Sequence, residues 1–189
     1  DNAEMFRKLS SFGQHPSSMV ISCCDSRVNP TSIFASKEGE IFIYRNIANL
    51  VPNYSPDSKN EGTFAAIEYA TKKLKIKHLI ILGHRDCGGI KNGHKLHSNI
   101  SNQNFYFINK WLDFLLPAFN NISKNASEDI QIKKMEEESI KISLKNILSL
   151  PYIKNLVENK NLSIHGLIYD IGSGELKSLN PITEEFENI

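Results

Sequence analysis

Short β-branched runs, each parted from the next by a helix-patterned stretch, constrain this chain most. Met19, Val20 and Ile21 form an apolar run followed by turn-forming polar residues, as a buried strand does. Residues 41–44 and 78–82 read the same way. Between these two runs, Phe64, Ile67, Ala70 and Leu74 recur at three- and four-residue spacing and predict an amphipathic helix over 62–74. Strands alternating with helices need right-handed crossovers, and so a mostly parallel central sheet with helices on its faces.

Farther on, Phe107, Trp111, Phe114 and Leu115 predict a helix that Pro117 stops or kinks. Residues 120–138 are polar, with alternating charge in their second half, and carry the weakest pattern. Ile140, Leu144, Ile147 and Leu148 predict another helix, halted before Pro151. Residues 163–170 and 175–179 predict a late strand pair around the turn Gly172-Ser173-Gly174. There is no internal repeat and no low-complexity block. At 189 residues the chain reads as one α/β domain, 1–189, able to bury a single core.

Charge and cysteine usage narrow the function. Lys and Arg number 22 against 21 Asp and Glu, so no basic excess exists to neutralise a phosphate backbone, and nucleic acid is not the expected partner. The longest apolar stretches, such as 79–83, fall far short of the ~20 residues of a spanning helix, and no membrane partner is expected. Three cysteines do not make a disulfide framework, which points to a reducing, cytoplasmic setting. The sequence opens at Asp1 rather than Met. A leader or first helix ahead of it therefore stays open, and localisation rests on the cysteines alone.

Parallel sheets bind ligands beyond the carboxyl ends of their strands, where strand order reverses. The first predicted strand runs into Cys23-Cys24-Asp25-Ser26-Arg27, and the run at 78–82 into Gly83-His84-Arg85-Asp86-Cys87-Gly88-Gly89. If these strands are neighbours, both loops open into one crevice. His84 and Cys87 can then chelate one zinc ion from a glycine-flanked turn, with Cys23 or Cys24 as third ligand and a fourth position left for water. In extended backbone residues 23, 25 and 27 share a side, which favours Cys23 and turns Cys24 away as a core thiol or one beside the site. Asp25 would then orient the bound water's proton, and Arg27 would hold Asp25 by a bidentate contact.

The motif C-x-D-x-R at Cys23, Asp25 and Arg27, with G-H-x-x-C-G-G at Gly83 to Gly89, resembles the β-class carbonic anhydrases. The likeness continues through Arg45-Asn46-Ile47-Ala48-Asn49-Leu50-Val51-Pro52, through residues 62–69, and through Ser143-Leu144 and His165-Gly166. It implies the β-carbonic anhydrase fold and a carbonate dehydratase with one zinc per subunit, interconverting carbon dioxide and water with bicarbonate and a proton by attack of zinc-bound hydroxide. It assigns zinc to Cys23, His84 and Cys87, and the catalytic dyad to Asp25 and Arg27. The plant-like branch carries a Gln nine residues before the first ligand, matched by Gln14, and a pocket Phe and Tyr, matched by Phe42 and Tyr69. Ile47 joins these as apolar wall for carbon dioxide, with Gln14 and the Gly88 N–H as donors.

Another branch locks its site with a Trp three residues before the first ligand. Val20 stands there, so an open site with Asp25 paired to Arg27 is expected, although Arg45 and Tyr69 match the lock's other members. The resemblance also implies an intimate dimer, or a dimer of dimers, with pocket residues donated across the interface. Residues 1–18, with Phe6, Leu9 and Phe12 at helical spacing, match the end of an N-terminal helical arm. His94 and His97, in a polar stretch after the metal motif, are candidate proton shuttles. His15, His78 and His165 read as structural. Arg85 and Asp86 fill the two variable positions between His84 and Cys87, where a charged pair could narrow the entrance, and their role stays open. Alternatives are a related hydrolase of carbon disulfide or carbonyl sulfide and a non-catalytic assembly subunit. A zinc deaminase is excluded for want of H-x-E and P-C-x-x-C.

Overall fold

A computed structural model describes residues 2–55, 61–100 and 105–189. In chain order the elements are α1 (Asn2–Phe12), β1 (Ser18–Cys23), α2 (Pro30–Ile33), β2 (Ile41–Asn46), α3 (Glu61–Glu68), β3 (His78–His84), α4 (Gly88–His97), α5 (Tyr106–Leu112), α6 (Leu116–Asn121), α7 (Glu128–Leu148), α8 (Pro151–Glu158), β4 (Ser163–Tyr169), β5 (Leu176–Leu179) and β6 (Phe186–Asn188). The sheet order is β2-β1-β3-β4-β5-β6. The first four strands run parallel and the last two antiparallel, which is the mostly parallel α/β sheet the sequence predicts.

The order reverses at β1. From there the chain crosses to β2 on one side and then returns to β3 on the other. The β1–β3 register runs from Ser18 opposite His78 to Ser22 opposite Leu82, so Cys23 and His84 emerge together at the carboxyl ends. Alternation sorts the apolar side chains between the faces. Met19, Ile21, Leu79 and Ile81 pack with Ile67, Ile140, Ile147 and Ile153, whereas Val20 and Leu82 pack with Val28, Ile33 and Phe34 on the other face.

Several predicted boundaries move. The helix over 62–74 is α3 followed by a π-helical turn, Tyr69–Lys73. The helix over 107–115 is interrupted before Pro117 by a 3-10 turn, Asp113–Leu115, and Pro117 lies in the first turn of α6, where the missing N–H costs no bond. The weakly patterned 120–138 belongs largely to α7, a 21-residue helix. Its buried stripe includes Glu136, Ser139 and Ser143 beside Ile132, Met135, Ile140 and Ile147, which dilutes the hydrophobic period. Helices α2, α4 and α8 and strand β6 were not anticipated, and α4 removes the predicted polar loop around His94 and His97. No helix among the described residues is long and apolar enough to cross a membrane.

Two stability predictions follow from the packing. Ile140 is fully buried and fills the space over two glycines, where a Cβ on Gly83 or Gly166 would lie 2.6 or 2.8 Å from its side chain. Ile140→Ala should lower unfolding free energy by about 2–5 kcal/mol in urea titrations. On the adjoining strands, His78 Nδ1 and His165 Nε2 lie 3.1 Å apart and share one proton. Burial, and then the neighbouring His78, lower the His165 pKa from its ordinary 6.5. Its neutral form thus favours the fold above that pH, and this contribution is lost as pH falls toward the lowered native value. Replacing His165 with Gln should flatten the decline of the urea midpoint between roughly pH 7.5 and 5.5; an unchanged slope would refute the assignment.

Candidate metal centre

Cys23 ends β1, His84 ends β3, and Cys87 directly precedes α4. All three are buried, and their ligand atoms lie within 4.8 Å of one another, with the two sulfurs 4.0 Å apart. The turn joining His84 to Cys87 passes through Asp86 in a left-handed conformation, φ 62°. Gly89 lets the first turn of α4 close on the 47–48 backbone, since a Cβ there would meet Ile47 at 2.9 Å and Ala48 at 3.0 Å.

The donor set suits a thiophilic divalent cation such as zinc. His84 Nδ1 donates to the Arg85 carbonyl at 2.9 Å, leaving the Nε2 lone pair free to ligate. That Nε2 is buried and without a hydrogen-bond partner. The two sulfurs divide: contact with Cys87 lowers the Cys23 pKa, and contact with Cys23, together with burial, raises that of Cys87. Two thiolates this close repel unless a cation lies between them. Cys23 also receives the Asp25 N–H at 3.4 Å.

Asp25 and Arg27 come together through a turn rather than along an extended strand. The Val28 N–H closes on the Asp25 carbonyl at 3.0 Å, and the Arg27 N–H on Asp25 Oδ1 at 3.0 Å. Arg27 Nε and Nη2 donate to Asp25 Oδ1 and Oδ2 at 3.0 and 2.8 Å, and they hold the Asp25 carboxyl far below its usual range. Asp25 Oδ2 stands 4.0 Å from His84 Nε2. Asp25 and Arg27 thus meet, but not by the alternation expected of an extended strand, and Cys24 is an exposed thiol rather than a core one.

The remaining candidates divide by distance. The Gly88 N–H begins α4 beside Cys87, and half-exposed Ile47 touches the same turn. Phe42 and Tyr69 stack at 5.9 Å between ring centroids, but Phe42 lies four residues before the Asn46 that pairs with Cys23, about 13 Å away along the strand. Exposed Gln14 precedes β1, at the opposite end from Cys23. The chain does not bring these three to its own metal centre.

His94 is buried, donates through Nε2 to Gln131 Oε1 at 3.0 Å and packs on Phe119. His97 is tied to the Leu112 carbonyl at 3.1 Å. Both sit on α4 rather than in the expected polar loop. Arg85 turns to α7, reaching Glu136 at 3.3 Å and Glu137 at 2.5 Å. Asp86 bridges Arg27, at 3.0 Å, and Lys91.

Sequence reasoning missed the residues that hold the loops. Arg45 donates to the carbonyls of Cys23, Asp25 and Val28 at 2.9, 2.8 and 2.8 Å, so its guanidinium is committed to the ligand loop. Asn46 closes the 46–50 turn in both directions with Leu50. Ser143 and Asn146 of α7 anchor the Val51 N–H and carbonyl. Glu136 accepts the Cys87 N–H at 3.1 Å; burial raises its pKa, against the pull of that N–H and of Arg85.

A family model described as Carbonic anhydrase matches residues 18–176. Beta carbonic anhydrase 3 of Arabidopsis thaliana is 36% identical over 176 residues, 92% of this chain and 67% of that protein. The fold is similar to that of the β-carbonic anhydrase CcaA, with a TM-score of 0.89 and 32% identity across 99% of this chain and 83% of that one. It is also similar to a tetrameric β-carbonic anhydrase of Sordaria macrospora, with a TM-score of 0.79 and 31% identity across 95% and 87% of the two chains. Matched over most of its length in sequence and in structure, the chain belongs to the β-carbonic anhydrase family, the carbonate dehydratases.

Proposed function

We propose that the chain catalyses zinc-dependent, reversible hydration of carbon dioxide to bicarbonate and a proton, with Cys23, His84 and Cys87 holding the metal and Asp25 and Arg27 orienting the reaction. The observation that carries this reading is the unpartnered His84 Nε2, buried beside two thiols and 4.0 Å from a carboxylate oxygen. When bound, zinc supplies Lewis acidity and makes coordinated water acidic near neutral pH, with a pKa of about 7.

The protein's own contribution is placement. Asp25, kept ionised by Arg27, only accepts hydrogen bonds, so its Oδ2 holds the proton of the attacking water and turns a lone pair toward carbon dioxide. Arg27 stays a cation throughout, because its carboxylate neighbours raise its pKa further. Ile47 offers apolar wall and the Gly88 N–H a donor to the substrate's oxygen. Gln14, Phe42 and Tyr69 complete the pocket from a second copy of the chain, which fits their distance from this chain's own centre. The tetrameric relative and the exposed apolar side chains Phe6, Phe12, Ile43 and Tyr69 support such a homo-oligomer, with α1 as its clasping arm. The free cysteines suit a reducing, cytoplasmic setting.

Two measurements test this reading. Purified wild-type protein should hold one zinc per chain, and Cys87→Ser should lose most of it; stoichiometric zinc in the variant would remove Cys87 from the ligand set. Stopped-flow hydration assays should show rapid turnover by the zinc-loaded wild type and a kcat about 10- to 100-fold lower in Asp25→Ala with zinc retained. A zinc-loaded wild type that does not hydrate carbon dioxide would overturn the assignment.

A further inference from the structure

We infer that Glu136 is a positioning residue for the metal ligand Cys87, working with Arg85 as a tether between α7 and the ligand turn. The inference rests on reading Cys23, His84 and Cys87 as a metal site. Glu136 is 2% exposed, an unusual place for a carboxylate unless it is bonded. Its Oε1 accepts the Cys87 N–H at 3.1 Å and its Oε2 faces Arg85 Nη1 at 3.3 Å. Arg85 in turn binds the Lys133 carbonyl at 2.9 Å and Glu137 at 2.5 Å, so its guanidinium is fixed along one side of α7.

These contacts close a circuit through both ligands of the turn. The Arg85 N–H is held by the Tyr169 carbonyl at 2.8 Å, and the Arg85 carbonyl orients the His84 ring through Nδ1. Its guanidinium meets Glu136, and Glu136 returns to the Cys87 backbone. Removing the carboxylate leaves the Cys87 N–H buried and without an acceptor, which carries a desolvation penalty. The turn relieves that penalty by rotating its backbone, and the Cys87 sulfur moves with it. A carboxylate that merely caps α4 would support the fold equally with and without metal. One that positions Cys87 governs how long the metal stays and how its ligands are disposed.

The test compares Glu136→Ala, Glu136→Gln and Arg85→Ser with the wild type, each confirmed folded by circular dichroism. Zinc release from the loaded proteins into excess chelator is timed, and the charge-transfer and d–d absorption of cobalt-loaded samples is recorded. Glu136→Ala should release zinc about 10- to 100-fold faster and shift the cobalt bands. Glu136→Gln, which keeps an acceptor for the Cys87 N–H, should restore most of both. Wild-type release and cobalt spectra in folded Glu136→Ala, or no rescue by Gln, would overturn the inference. If Glu136→Ala does not fold, Arg85→Ser decides: faster release with shifted bands supports the tether, and unchanged values overturn it. A wild type that takes up neither metal sinks the metal site and the tether with it, whereas a loaded wild type indifferent to these substitutions sinks the tether alone.

Discussion

Two thiols and an imidazole, buried with their ligand atoms within 4.8 Å of one another, are the constraint to which the rest of this structure answers. Burial opposes charge, and two sulfurs 4.0 Å apart oppose the ionisation of both at once. Such a cluster persists only if rigid backbone brings it together. The parallel pairing of β1 with β3 supplies two of the three groups, because a register fixed by buried side chains cannot slip by one residue without turning Met19, Ile21, Leu79 and Ile81 to the wrong face. The first turn of α4 supplies the third and adds its positive dipole end, which favours thiolate at Cys87.

Holding the loops is a separate task, and helix α7 performs much of it. From one buried stripe it sends Glu136 to the Cys87 turn and Ser143 to Val51, with Asn146 alongside, while Ile140 presses against Gly83 at the foot of the same turn. The other loop is held from β2, where Arg45 gathers the carbonyls of Cys23, Asp25 and Val28. Polar side chains buried in this way stabilise little on balance, because each bond replaces one to water. Their effect is to exclude other loop conformations, and a metal centre depends on that exclusion.

How much of this was legible in the sequence follows from the reach of each interaction. The strand runs, the α/β class and the grouping of Cys23, His84 and Cys87 were readable because each rests on local pattern or on a short motif at a strand end. Helix α7 was only half legible, since Glu136, Ser139 and Ser143 occupy the positions where a periodic helix shows apolar residues. Two of the polar groups that hide the helix, Glu136 and Ser143, are among those that hold the loops. Arg85 was legible as a charge near the metal but not as a contact to α7, because its partners lie 51 and 52 residues away. The distance of Gln14, Phe42 and Tyr69 from the centre depends on strand direction, which no motif encodes.

The Asp25–Arg27 pair matters here for reasons other than stability. Arg27 is 46% exposed, where solvent weakens each single pairing. Yet Nε and Nη2 serve Asp25, Nη1 serves the Asp86 carboxylate, and Nη2 also reaches the Asp86 carbonyl. Asp86 is braced in turn by Lys91. The guanidinium therefore cannot rotate without breaking several contacts at once. Both Asp25 oxygens are engaged by Arg27, Oδ1 twice and Oδ2 once, which leaves the free lone pair on the oxygen nearer His84 Nε2. The Asp25 carboxylate thus takes its direction from several contacts that are individually weak, because what is fixed is an orientation rather than a depth of binding.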